Sequence, residues 1–496
     1  MQQSSISEAL SGARKRRWLG ADPALRFVLI YFALQIIFVT FVSNGASIDD
    51  AEQLAYAGSW QLGYGSSQQP LYNWIVSAAT AVFGVNLFTL QLVKFGLLAS
   101  MYASVYCGAR LLGLGRWVAA AGALGIFLLP PIGWESQRAL THSVAGVAGC
   151  AWTFFCFAWH MKSKSWFSAV ALGLAMAAAL LGKLNATFFI LALLIAGFSV
   201  SDYRRTLLSR TGLLTLVVLV AALAPVGLWM LEHSGHVTAR SHKFAFDNSG
   251  SLLISRATGI GVMLLKTVLF SCVAVIFFAI AVWRNRADII ARSRAMGTGE
   301  RFVVLLVSWS LGVVFVGIVI SGATRIEDRW LQPVLFLLPL LLALLSSCHI
   351  RGDRGLRQIA FWSAVAALVI MPVLALNLSY GRAGKPPIGQ LDYKSLYEQL
   401  REAGDFQVVV SEGPQIPGNL RLYDPNLVVA YPGMPGAASR IRQPVVVVST
   451  GELAQGVLNL LAAAGISSSH AEVRRTTLHY VSQPDLTQDV SYIFVP

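Results

Sequence analysis

Between residues 27 and 380 the chain is a succession of apolar stretches, each about as long as a bilayer core is thick, separated by short polar segments. This pattern constrains the fold more than any motif does. Backbone amides and carbonyls immersed in lipid must be satisfied within their own segment, so each stretch is expected to be a helix. With roughly 20 apolar residues as the template for a span, the stretches fall at 27–44, 87–109, 117–131, 143–160, 166–182, 185–200, 211–230, 258–282, 302–322, 330–347 and 359–380. Composition agrees: 55% of the residues are hydrophobic and only 12% charged, which excludes a soluble globular domain.

The segment 70–84 is apolar but short, and it opens Pro70-Leu71-Tyr72-Asn73-Trp74. Its aromatic residues suit a helix lying in the membrane interface. Charge tests that choice. With 70–84 outside the set of spans, residues 1–380 place 20 Lys and Arg on one side and 7 on the other, leaving aside the mid-span Lys94 and Lys266. Making 70–84 a span inverts everything after it and destroys the bias. The basic side is expected inside, so the basic N-terminus 1–26, with Arg14-Lys15-Arg16-Arg17, is cytoplasmic and the first helix is an uncleaved anchor. The net charge of +14 follows from this clustering between apolar runs, and a nucleic-acid partner is excluded.

Eleven spans with the N-terminus inside leave the chain outside after Tyr380. Gly381–Pro387 reads as a linker. Beyond it, Tyr393–Ala403 and Leu453–Ala464 have helical patterns, and Phe406–Ser411, Leu427–Tyr431, Pro444–Thr450, Ala471–Val481 and Val490–Val495 read as strands. Residues 381–496 are therefore expected to form a small periplasmic α/β domain. The five cysteines all lie in or beside apolar segments, so this domain relies on its core rather than on disulfides.

The outer loops carry the polar chemistry. The first, residues 45–86, holds Asp49, Asp50 and Glu52 directly after the first span. These acids fit two readings: a capped interfacial helix running through Ala51–Leu62, with Ser47 or Asp49 as the cap, or a functional acidic centre. A second segment brings Glu135, Arg138 and His142, the last two sharing a face if helical. A third, Gly182-Lys183-Leu184-Asn185, is the only polar interruption in a long apolar hairpin, and a lipid phosphate suits Lys183 better than snorkelling alone. A fourth is Arg325-Ile326-Glu327-Asp328-Arg329. A longer loop adds His242 and Lys243, together with His233 and His236, which lack a third zinc ligand.

Carboxylates beside several cations at headgroup level match one chemistry in particular, transfer of a sugar from a polyprenyl-phosphate donor. The departing phosphate needs Arg or Lys to neutralise developing charge, and the attacking hydroxyl needs a carboxylate to take its proton. Asp49 and Asp50 could also hold a divalent cation, Mg or Mn, through oxygen ligands.

The acid pair after the first span, the Pro-Leu-Tyr-x-Trp segment, the Lys-x-Asn hairpin and Arg-x-x-Asp-Arg-Trp-Leu-Gln-Pro before a late span resemble the GT-C glycosyltransferases. Within that superfamily the chain resembles glycosyltransferase family 39, with the protein mannosyltransferases and the lipid A aminoarabinose transferase, and most narrowly the rhizobial lipopolysaccharide galacturonosyltransferases. The likeness covers residues 25–380. It implies a polytopic α-helical membrane enzyme of the bacterial inner membrane, with interfacial helices and a periplasmic active site. It further implies inverting transfer to a glycolipid or glycan acceptor such as lipid A or lipopolysaccharide. On matching positions Asp49 stands for the family's catalytic acid and Asp50 for the Glu often beside it. Arg138, Lys183, Arg325 and Arg329 are the candidate phosphate or headgroup contacts. Glu52, Tyr72, Glu135, His142, Glu327, Asp328, His242 and Lys243 are supporting or acceptor-side candidates. Ala139 stands where an acid is expected, leaving Glu135 as the acid of that loop.

Two other functions fit the sequence less well. An O-antigen ligase or polymerase using a diphosphate-linked donor concentrates its functional residues in a late outer loop, unlike this chain. A secondary transporter needs mid-membrane ionisable networks, and here Lys94 and Lys266 are expected to stand without an acidic companion.

Overall fold

The computed structural model describes residues 22–64, 68–235, 252–285, 296–349, 353–382, 384–468 and 471–496. His242 and Lys243, and the basic run Arg14–Arg17, lie outside the described residues.

Each of the eleven apolar stretches is helical over most of its length. In chain order the main helices are α1 Pro23–Val42, α2 Ile48–Tyr56, α3 Leu71–Phe83, α4 Leu87–Leu111, α5 Arg116–Leu124, α6 His142–Ser163 and α7 Trp166–Gly182. There follow α8 Ala186–Ser199, α9 Arg210–Glu232, α10 Leu252–Asn285, α11 Thr298–Ser321, α12 Leu338–His349 and α13 Arg354–Tyr380. The chain is a multi-pass membrane protein. Among the described residues, eight helical segments are long and apolar enough to cross a bilayer, or ten if each of two bent pairs is one span. The helix α7, with 17 residues, extends about 26 Å and falls just short of the core thickness. The 13-residue α3 is shorter still, as its reading as a non-spanning helix requires.

One bend has a plain cause. The helical run Arg116–Leu128 meets Pro130–Arg138 at 76°. Leu129 is pushed to extended geometry, φ −97° and ψ 101°, by the proline that follows it. Pro130 and Pro131 then open a new short helix, where their missing amides cost nothing.

Helices α6 and α7 pack face to face through small residues. A Cβ on Gly149 would lie 2.5 Å from the Ala179 Cα. Lipid gives no hydrophobic drive for helix pairing, so such close backbone approach is what supplies the van der Waals attraction. The pairing fixes where the α7–α8 hairpin tip, with Lys183, comes to rest.

Residues beyond α13 build a five-stranded sheet, with β1 Val408–Ser411, β2 Val428–Ala430, β3 Val445–Thr450, β4 Arg474–Tyr480 and β5 Gln483–Val495 in the order 2-1-3-5-4. The strands β2, β1 and β3 are parallel, whereas β5 runs antiparallel to both β3 and β4. Helices α14 Tyr393–Ala403, α15 Gln415–Leu420 and α16 Gln455–Ala463 complete the domain. Because side chains alternate along a strand, Val408, Val410, Val445 and Val447 enter one core and Val409, Val446 and Val448 another. The first of these cores also contains Ala55, Tyr56 and Tyr64. The C-terminal domain is thus built partly on the loop after α1, and it sits at the acidic end of the helix bundle.

Candidate active site

Asp49 and Asp50 lie in the first turn of α2, where negative charge suits the helix dipole, and Glu52 follows in the next turn. The helix runs from Ile48 to Tyr56, shorter than the Ala51–Leu62 reading, and ends before Gly58 turns the chain with φ 81°. Ser47 occupies the cap position, yet its hydroxyl donates to Asp50 Oδ2 at 3.1 Å rather than accepting from a backbone amide.

Helical phase separates the three acids. Successive residues on a helix point about 100° apart. Asp50 turns inward and accepts from Lys94 Nζ of α4 at 2.7 Å, with both side chains buried. Glu52 turns toward the C-terminal domain: burial first, then Tyr56 and Glu52, raise the Tyr431 phenol above its ordinary pKa. Asp49 is left half-buried between them. The expectation that Lys94 and Lys266 have no acidic companion is overturned. Lys266 pairs with Asp328 at 3.1 Å, because in both cases the acid comes from a segment outside the helix that bears the lysine.

From α2 a chain of contacts reaches the other polar segments. The Gln53 amide lies 3.4 Å from His142 Nε2, and the His142 ring sits 5.9 Å from the fully buried Tyr72. Burial, then the charges of Asp50 and Asp49, raise the Tyr72 phenol well above its ordinary pKa, so it serves as a neutral hydroxyl. Next to His142, Ser143 accepts from the Lys183 ammonium. Two residues on, Asn185 donates to the Trp330 carbonyl at 2.9 Å, joining the hairpin tip to the turn that bears Arg329. Gln332 closes the circuit by donating to the Pro131 carbonyl at 2.6 Å and to Ser136 at 3.2 Å. Residues from five separate stretches of sequence therefore meet at one end of the bundle.

The chain as a whole is similar to known proteins. The family model for dolichyl-phosphate-mannose-protein mannosyltransferases matches residues 67–229. The lipopolysaccharide core galacturonosyltransferase RgtB of Rhizobium johnstonii is 30% identical over 423 residues, 82% of this chain and 82% of the relative. The chain belongs to this family of GT-C glycosyltransferases. RgtA, a second lipopolysaccharide core galacturonosyltransferase of the same organism, is 26% identical over 88% of this chain and 90% of its own. The crystal structure of ArnT from Cupriavidus metallidurans bound to undecaprenyl phosphate shares the fold, with a TM-score of 0.57 and 15% identity over 94% of this chain and 97% of that one.

Within this GT-C glycosyltransferase the four basic candidates separate by their partners. Arg138 is engaged by Glu135 at 2.7 Å, and Arg325 by Glu327 at 2.6 Å, so each carries its own counter-charge. Arg329 is exposed and makes no ion pair among the described residues. Lys183 is held at its Ser143 contact, aimed by the close packing of α6 and α7. Asp50 does not suit a cation, since Lys94 already supplies its positive charge. Among the described residues, no three His, Cys, Asp or Glu side chains are grouped to hold an ion.

Sequence reasoning missed Lys94, Gln53, Ser143 and Gln332 as parts of the site. Lys94 could have been found, because a lone lysine in a 25-residue apolar helix calls for a named partner. A cavity of about 520 Å³ opens where the first loop, the end of α9 and the 433–436 turn meet. It is lined by Gln61, Trp229, His233 and Met434, with the Trp229 and His233 rings stacked at 4.6 Å.

Proposed function

We propose that this glycosyltransferase moves a uronic acid, galacturonic acid by analogy with RgtB and RgtA, from a polyprenyl-phosphate carrier to a lipopolysaccharide core acceptor. In this reading the reaction runs at the periplasmic face of the bacterial inner membrane and inverts the anomeric centre. The undecaprenyl phosphate bound to ArnT, whose fold this chain shares, supports the lipid carrier.

The observation that carries the mechanism is the division of labour within the acid pair. Asp50 is committed to Lys94, whereas Asp49 remains half-buried and free of that pairing. Asp49 is accordingly the general base, and Asp50 positions it. The acceptor hydroxyl oxygen forms a bond to the anomeric carbon as its proton passes to Asp49. The bond from that carbon to the phosphate oxygen breaks, and polyprenyl phosphate leaves with the electron pair. Arg329, which makes no ion pair among the described residues, and Lys183, set at the hairpin tip beside Ser143, stabilise that charge. Buried Asp50 Oδ1, Gln53 Oε1 and the Tyr72 hydroxyl take no hydrogen bond among the described residues, so this corner retains polar capacity suited to a polyhydroxyl sugar. The stacked Trp229 and His233 rings offer the acceptor glycan a flat face. No step is assigned to a metal ion.

The test uses purified enzyme in lipid vesicles with a polyprenyl-phosphate uronic acid and lipopolysaccharide core. Asp49→Asn is expected to lower turnover by 10²-fold or more while leaving donor binding intact. Mass spectrometry of the acceptor is expected to show one added uronic acid. Retained turnover in a folded Asp49→Asn variant removes Asp49 as the base, and addition of a neutral sugar instead removes the substrate class.

A further inference from the structure

We infer that the C-terminal domain is part of the catalytic machinery, and that its Asn419 and Arg421 are positioning residues that hold the acid-bearing helix α2. The inference rests on the reading of Asp49 as the base, and it gives the C-terminal domain a role.

The clamp has three points, all from α15 and the residue after it. At the entry to α2, Asn419 is fully buried and makes a reciprocal pair with Ala46. Its Oδ1 accepts from the Ala46 amide at 2.6 Å, and its Nδ2 donates to the Ala46 carbonyl at 3.2 Å. Ala46 precedes Asp49 by three residues, so this pair sets the angle at which the chain enters the helix. In the middle, Gly418 packs its backbone on Ala51, the residue after Asp50, and any Cβ there would collide with the Ala51 carbonyl. At the far end, the Arg421 guanidinium donates to the carbonyls of Leu54 at 2.8 Å, Ala57 at 2.9 Å and Ala55 at 3.4 Å.

Those carbonyls lie where a helix C-terminus runs short of intrahelical donors, and Leu54 also accepts from the Ala57 amide at 3.2 Å. A cation there also matches the negative end of the helix dipole, as Asp49 and Asp50 match the positive end. A nine-residue helix is too short to be stable alone in water. Its order therefore comes from what it packs against, and one whole side of it is the C-terminal domain. Asn44, whose side chain donates to the Leu391 carbonyl at 3.2 Å, extends the same seam. Displacing a catalytic base by about 1 Å can cost on the order of 100-fold in rate. A loosened clamp should thus act on turnover more than on donor affinity.

The experiment compares full-length wild type with Asn419→Ala, Arg421→Met and Arg421→Lys in lipid vesicles, by steady-state kinetics and by hydrogen–deuterium exchange. Arg421→Met keeps the length and removes the donors; Arg421→Lys keeps the charge. Asn419→Ala and Arg421→Met are expected to speed exchange across residues 46–57, with α6 unchanged. They should also lower kcat at least 10-fold while the donor KM stays within about threefold. Arg421→Lys should recover most of both. If Arg421→Met does not fold, Arg421→Lys and Asn419→Ala carry the comparison. Unchanged exchange over 46–57, or faster exchange with kcat intact, overturns the clamp. An active Asp49→Asn enzyme overturns the base assignment instead, and leaves the exchange result to decide the clamp by itself.

Discussion

Lys94 and Asp50 are a lysine and an aspartate withdrawn from water, and at that depth each is tolerable only with the other. The attraction across 2.7 Å offsets the desolvation of both charges, and the Ser47 hydroxyl adds a bond to the same carboxylate oxygen. Removing one partner strands the other, at about 3–5 kcal/mol. Lys94→Met and Asp50→Asn are each expected to lower thermal stability sharply, and the double variant to regain most of it. Thermal unfolding in detergent across the four proteins of this cycle checks the coupling. The double variant also tests the chemistry: measurable transfer is expected if Asp50 only positions Asp49, and none if Asp50 reacts. At this scale the sequence was half legible. An acidic cluster after the first span and a lone lysine in α4 are both visible in it. Which of the two adjacent acids meets the lysine depends on helical phase, set by where α2 begins, and no spacing rule across 44 residues supplies that.

The α6–α7 pair shows how an element delivers a side chain. Gly149 lets the two backbones touch, and that contact sets the height of the hairpin tip, where Lys183 reaches Ser143. Gly149→Leu must separate the helices, at about 1–3 kcal/mol of overpacking, and it lifts Lys183 from its place. Binding of polyprenyl phosphate to the purified protein is expected to weaken about tenfold in Gly149→Leu and in Lys183→Met alike, the size of one lost charge-assisted hydrogen bond. A Gly149→Leu protein that binds normally argues against the assignment of Lys183 to the phosphate. The long helices, and most of the strands, were readable because apolar runs of span length and β-branched runs such as Val445–Val448 have few alternatives. The six-residue α15 was not. Pro417 and Gly418 lie inside it, and so short a helix leaves no periodicity to read, although it touches α2 along its length. The N-terminal half of β5 was also missed, since its polar residues face solvent on an outer hairpin.

At the scale of the whole molecule, the site exists because the two parts of the chain share it. The helix bundle contributes Lys94, His142, Lys183 and Arg329; the loop after α1 contributes the acids; the C-terminal domain holds that loop in place. The contributing end of the bundle, the loop and the C-terminal domain must therefore lie on the same side of the membrane, and charge predicts which. The excess of Lys and Arg, 20 against 7 over residues 1–380, falls on the side away from the acids, so the positive-inside rule predicts that the acidic end and the C-terminal domain are external. Membrane-impermeant maleimide labelling of spheroplasts checks this in a background where the five native cysteines are replaced. A cysteine introduced at the exposed Glu472 of the C-terminal domain is expected to react before lysis. One at the exposed Asp202, between α8 and α9, should react only after it. The reverse pattern puts the acids on the cytoplasmic face. There a lipid-linked donor holds no advantage over a soluble nucleotide sugar, and the assignment of a polyprenyl-phosphate carrier loses its rationale.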